Sequence, residues 1–241
     1  MCGRYAQDQG IDELIEGFSL DGSHIDQNLP LNWNIAPTNL IYIVRSDSGQ
    51  RILDSASWGI IAPWEKNYVQ ARASQSHAIN ARSESIHEKP TFRNSFRGQR
   101  CLVPASGYYE WATSLGKYAP KQPFYIASEI AHRELPIAGI WSTWKSNEGE
   151  EIHCAAIITR QAVGELAKIH SRMPVIMPKE RWDAWLDPRT RDIESLQPLM
   201  ELDDPTAGLR ARPVSRRVNL VANNGRELTE EIELGEPETL F

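Results

Sequence analysis

The second residue of the chain is a cysteine followed by glycine, Met1-Cys2-Gly3. A small second residue favours removal of the initiator methionine, which leaves Cys2 with a free α-amine as well as a thiol. Their ordinary pKa values lie near about 7.7–8.0 and 8.5, so both groups are partly unprotonated at neutral pH. Two carbons separate the nitrogen from the sulfur, so both can add to one aldehyde carbon and close a five-membered thiazolidine. The same two groups suit another reaction, in which the thiolate attacks a side-chain amide and the amine serves as base. A second-position cysteine with neither role is the third reading.

The remaining cysteines, Cys101 and Cys154, make an odd and sparse set with no CxxC or metal-ligand spacing. That argues for a reducing compartment and against a disulfide framework or a zinc site. No apolar run approaches the roughly 20 residues of a membrane span. MCGRYAQDQG lacks the basic and apolar regions of a signal peptide. The expectation is a cytoplasmic protein with no cofactor and no metal. The net charge of −6 argues against bulk attraction to nucleic acid, but the charge is unevenly placed. Residues 66–100 hold seven basic side chains against two acidic, and Arg210, Arg212, Arg216 and Arg217 lie close together. Such basic surface on an acidic protein suits a local phosphate contact.

The elements that must position these residues are mostly strands. Alternation and apolar runs predict strands at 40–45, 100–103, 107–111, 123–127, 135–144 and 152–159, with Gly and Pro between many of them. Helical spacing is confined to 11–18, where Ile11, Leu14, Ile15 and Phe18 share a face, to 161–170, and to 179–186 between two prolines. These elements describe one mixed α+β domain built around β-structure with peripheral helices. The stretch from Arg226 onward carries six Glu and one Arg and reads as a solvated acidic extension, so the domain is taken as 2–224 and the extension as 225–241.

Seven short motifs follow in order: CGRYA (2–6), WNIAPT (33–38), WGIIAPW (58–64), INARSE (79–84), RCLVPASGYYEW (100–111), HSRMPVIM (170–177) and PVSRRVN (213–219). In this order and spacing the chain closely resembles the SRAP family, the SOS response-associated peptidases, from Cys2 to about Asn224. The resemblance implies a barrel-like mixed sheet core. It also implies a function in DNA damage, shielding abasic sites in single-stranded DNA by covalent attachment through Cys2.

By this resemblance Glu110 is the general acid/base of sugar ring opening, and His170 shuttles protons in imine formation and reversal. Asn80 hydrogen-bonds near the crosslink and orients the sugar. Arg82 shares a strand face with Asn80 and, like Arg4, is a good phosphate ligand. Pro63 and Trp64 offer an edge that stacks on or wedges beside a base, whereas Trp33 and Trp58 read as core. Asn34 is a candidate contact that shapes the site, and Met173 with Pro174 forms either a site wall or the start of a buried strand. The expected partner is single-stranded DNA containing abasic sites, met by a monomer. Two further readings are an N-terminal nucleophile amidase, whose members open on similar Cys-Gly sequences, and a non-catalytic single-strand-binding module.

Overall fold

A computed structural model describes residues 2–25, 27–112, 121–130 and 133–234. The strands in chain order begin with β1 (Tyr5–Gln7), β2 (Gly22–Ser23), β3 (Asn32–Ile35), β4 (Leu40–Asp47), β5 (Gln50–Trp58) and β6 (Asn80–Arg82). They continue with β7 (Arg100–Ala105), β8 (Gly107–Trp111), β9 (Pro123–Ser128), β10 (Leu135–Lys145), β11 (Glu151–Gln161), β12 (Arg172–Pro174) and β13 (Leu209–Pro213). One sheet has the order β13-β9-β8-β1-β3, and the other runs β12-β11-β10-β7-β4-β5-β2. In the second, β11 also pairs in parallel with β5 through Cys154↔Ser57 and Ala155↔Trp58. That pairing closes β4, β5, β11, β10 and β7 into a five-stranded mixed barrel, which leaves those strands without an open edge.

Both faces of the barrel strands are covered. Tyr42 and Val44 belong to one buried cluster and Ile41 and Ile43, alternating with them, to another, as the two-residue period of a strand requires. Leu14 and Phe18, from the helix Ile11–Phe18, are buried in the first cluster. Phe18 stacks on Trp182, with ring centroids 5.1 Å apart. Trp58 is fully buried, and its indole N–H donates to the Ile79 carbonyl at 3.1 Å. It therefore ties the end of β5 to the residue just before β6.

The helix expected at 161–170 is reduced to a single turn. Gln161 ends β11, Gly164 takes a positive φ of 56°, and only Leu166–Ile169 is helical. The element at 179–186 is a 3-10 turn (Lys179–Arg181) running into the helix Trp182–Leu186. The acidic segment after 224 keeps its described glutamates exposed and is anchored to the rest of the chain at several points. Leu228 is fully buried, Val214 and Glu231 form a β-bridge, and the Ile232 amide donates to the Pro213 carbonyl at 2.9 Å. The segment also engages the arginine cluster. Arg210 pairs with Glu231 at 2.7 Å, Arg217 lies 3.5 Å from Glu227, and Arg212 donates to the Thr229 carbonyl at 2.7 Å. Those arginines are thus partly neutralised from within the chain.

Candidate active site

Pairing between strands brings together residues that lie far apart in sequence. β1 runs antiparallel to β8 with Tyr5↔Tyr108 and Ala6↔Gly107. Continuing that register sets Glu110 opposite Gly3, beside Cys2. β6 lies parallel to β11 with Ile157↔Asn80 and Thr159↔Arg82, and β12 lies antiparallel to it with Thr159↔Pro174 and Gln161↔Arg172. Thr159 therefore has β6 on one side and β12 on the other. This puts the Asn80 strand and the loop bearing His170 on either side of one strand.

Cys2 is buried, and its thiol points to the Arg4 carbonyl at 4.0 Å. Burial raises the thiol pKa far above its ordinary value, and the Glu110 charge adds to that rise. Asn80 donates through Nδ2 to the Cys2 carbonyl at 2.8 Å. Glu110 is 3% exposed, and burial pushes its carboxyl up to about 7. His170 Nδ1 lies 3.8 Å from Glu110 Oε2, close enough for electrostatic contact and too far for a hydrogen bond. Burial also holds the imidazole below its ordinary pKa. A carboxyl raised to about 7 and an imidazole held below its ordinary range, both beside a thiol, form a set suited to proton transfer.

The outer residues divide by exposure. Trp64 is 55% exposed, and Pro63 and Arg82 are also exposed, which leaves them open to a ligand strand. Arg4 is half-buried and donates through one nitrogen to Asn34 Oδ1 at 2.8 Å and to the Val218 carbonyl at 3.0 Å. Its guanidinium also lies 6.0 Å from the Trp111 ring. Asn34 is 1% exposed, and its Nδ2 lies 2.9–3.3 Å from the carbonyls of Val218, Leu220 and Asn223. It is a clasp for the 218–223 segment, with its surface turned away from solvent. Met173 and Pro174 are buried in β12, which makes them strand core.

Sequence reasoning passed over Arg172 and Glu84. Arg172 grips Glu84 at two points, 2.6 and 3.0 Å, and donates to the Thr159 carbonyl at 2.7 Å. Both residues sit inside quoted motifs, HSRMP and INARSE, and their opposite charges in the two segments were the available signal. Among the described residues no group of three or more His, Cys, Asp or Glu stands together as metal ligands. None of their helices is long and apolar enough to cross a membrane.

Comparison with known proteins gives this geometry a family. The model of the SOS response associated peptidase (SRAP) family matches residues 1–221. A Bacillus subtilis protein named abasic site processing protein YoqW is 32% identical over 231 residues, covering 95% of this chain and 99% of its own. The rat protein named abasic site processing protein HMCES is 31% identical over 207 residues, which cover 76% of this chain and 57% of that longer one. A solved structure from Bacteroides thetaiotaomicron superposes with a TM-score of 0.82 over 96% of this chain and 100% of its own, at 24% identity, a likeness of fold. One from Bordetella bronchiseptica gives 0.73 at 26% identity, over 89% of this chain and 100% of that one. Motif order, barrel and family model agree over nearly the whole chain, and the protein belongs to the SRAP family.

Proposed function

We propose that this protein is an enzyme that processes abasic sites in single-stranded DNA, attaching to them covalently through Cys2 after removal of Met1. The observation that carries the reading is the gathering of Cys2, Asn80, Glu110 and His170 from four separate segments, with Asn80 on the Cys2 carbonyl and Glu110 electrostatically coupled to the thiol. Relatives named abasic site processing proteins, aligned over most of the chain, support the same substrate.

The sugar at an abasic site is mostly a closed hemiacetal, and only its open aldehyde is electrophilic. Glu110, titrating near 7, gives a proton to the ring oxygen in its acid form and takes one from the C1′ hydroxyl as a carboxylate. The Cys2 amine, the better base while burial keeps the thiol protonated, adds to C1′. His170 assists the loss of the C1′ oxygen as water, which leaves an imine. An imine left there acidifies the 2′ hydrogens and leads to strand cleavage by β-elimination. Addition of sulfur to C1′, with its proton passing to nitrogen, closes the thiazolidine and keeps the strand intact. The steps run backwards when water readds, so the adduct is reversible. Hydrolysis of the Met1–Cys2 bond suits the same thiol, carboxyl and imidazole, and an aminopeptidase reaches the same product. The reading further holds that the protein acts as a monomer in the cytoplasm, at damaged DNA.

The test is incubation of the protein with single-stranded DNA carrying one abasic site. A heat-stable adduct is expected from the wild type and none from Cys2→Ala. Cys2→Ser keeps the amine, so it gives an imine trapped by borohydride and no stable ring. No adduct from the wild type, or an undiminished one from Cys2→Ala, overturns the proposal. Release of ammonia from glutamine in its place points to the amidase reading.

A further inference from the structure

We propose that Glu84 and Arg172 are positioning residues that hold His170 as the Nε2–H tautomer, so that the imidazole works through Nε2 and not through a relay with Glu110. The inference rests on the reading of His170 as the acid/base of the proposed reaction. The Arg172 backbone amide donates to His170 Nδ1 at 3.0 Å. An amide hydrogen cannot be given up, so Nδ1 must accept and the ring proton of the neutral imidazole belongs on Nε2. The Arg172 carbonyl, 3.3 Å from the same Nδ1, favours the other tautomer. That arrangement would turn two hydrogens toward each other, and the shorter contact to the fixed donor prevails.

The amide is only as well placed as its residue. Arg172 is anchored at its side chain by both Glu84 oxygens and by the Thr159 carbonyl, with Thr159 Oγ1 at 3.3 Å. Its guanidinium is 11% exposed, whereas Glu84 is 52% exposed. Bidentate pairing of this kind fixes direction as well as distance. Because Glu84 follows Asn80 in the same segment, the grip also joins the Asn80 strand to the His170 loop across β11. Glu110 stands on the Nδ1 side at 3.8 Å. With that nitrogen occupied, the carboxyl and the imidazole serve different atoms of the substrate.

The experiment reads the tautomer directly. The ¹⁵N resonances of His170 at about pH 8, in processed protein without DNA, are expected to show Nδ1 unprotonated and Nε2 protonated. Glu84→Ala should move both resonances toward an averaged position. It should also slow adduct formation about fivefold, the weight of one neutral hydrogen bond, with affinity for intact single-stranded DNA unchanged. Glu84→Gln, which keeps one acceptor for Arg172, should restore most of both. Arg172→Lys keeps the charge without the two-point grip and should behave as Glu84→Ala does, which covers the case of a variant that fails to fold. An Nδ1–H tautomer in the wild type, or resonances unmoved by Glu84→Ala, overturns the proposal. A wild type that forms no adduct strikes the proposed function instead, and leaves the tautomer result readable.

Discussion

Asn80 holds the Cys2 carbonyl at 2.8 Å through its Nδ2, while its Oδ1 is buried and has no hydrogen-bond partner among the described residues. A buried acceptor of this kind is costly unless something fills it. Donors in reach of the site during reaction, such as a sugar hydroxyl, would satisfy it. Asn80→Asp keeps the shape and replaces the N–H donor by an oxygen facing the Cys2 carbonyl. Single-turnover adduct formation should fall about tenfold, within the range for breaking a buried hydrogen bond. A rate equal to the wild type would remove Asn80 from the site.

Glu110 makes stability depend on pH in a direction that can be worked out. Its carboxyl titrates at about 7 in the fold against 4.5 when unburied. Between those values the unfolded chain has already lost the proton that the fold retains, so stability falls as pH rises from about 4.5 to about 7 and is then level. Glu110→Gln lacks that titration. It should equal the wild type near pH 4 and exceed it by up to about 3 kcal/mol at pH 8, from the size of the shift. Thermal melts of both proteins across this range check it. A gap that does not widen with pH contradicts a buried, raised carboxyl.

Asn34 carries four contacts, its Oδ1 accepting from Arg4 and its two Nδ2 hydrogens shared among the carbonyls of Val218, Leu220 and Asn223. Asn34→Ala strands those buried groups and should cost about 3 kcal/mol. Adduct formation well below the melting temperature should stay within about twofold. Loss of DNA affinity without loss of stability would show that Asn34 touches the strand after all.

Leu228 is fully buried, although it lies in the acidic stretch. Leu228→Ala should destabilise the protein by about 2–5 kcal/mol, as buried leucines do, seen as a lower urea midpoint. A change under 0.5 kcal/mol would show that this leucine does not anchor the segment.

The sequence made the barrel strands legible where apolar residues run on without interruption, as in Cys154–Ile158, and the helix Ile11–Phe18 was read to the residue. It concealed β5, where Asp54, Ser55 and Ser57 break the apolar pattern. Asp54 is buried because Arg45 meets it at 2.7 Å across the β4–β5 pair, a pairing that the apolar pattern does not register. The helix Tyr68–Gln75 was equally hidden, because it turns Tyr68 and Val69 to solvent and buries Ala71 and Gln75. Leu228 was not singled out, because four of the glutamates around it and Arg226 mask a single buried leucine. At the site, Cys2 stood out by its position, and the family resemblance implied Asn80, Glu110 and His170. The Glu84–Arg172 grip spans 88 positions and is visible only once β6 and β12 flank the same strand.

That shared strand has a consequence for how the protein comes to life on the ribosome. β11 meets β10, β12, β5 and β6, so it is the seam at which the Asn80 and His170 segments first become neighbours. Contacts of such long sequence separation form late. Glu110 meets the Cys2 end of the chain through β1 and β8 alone, whereas the His170 segment joins them only after the sequence past residue 170 has emerged.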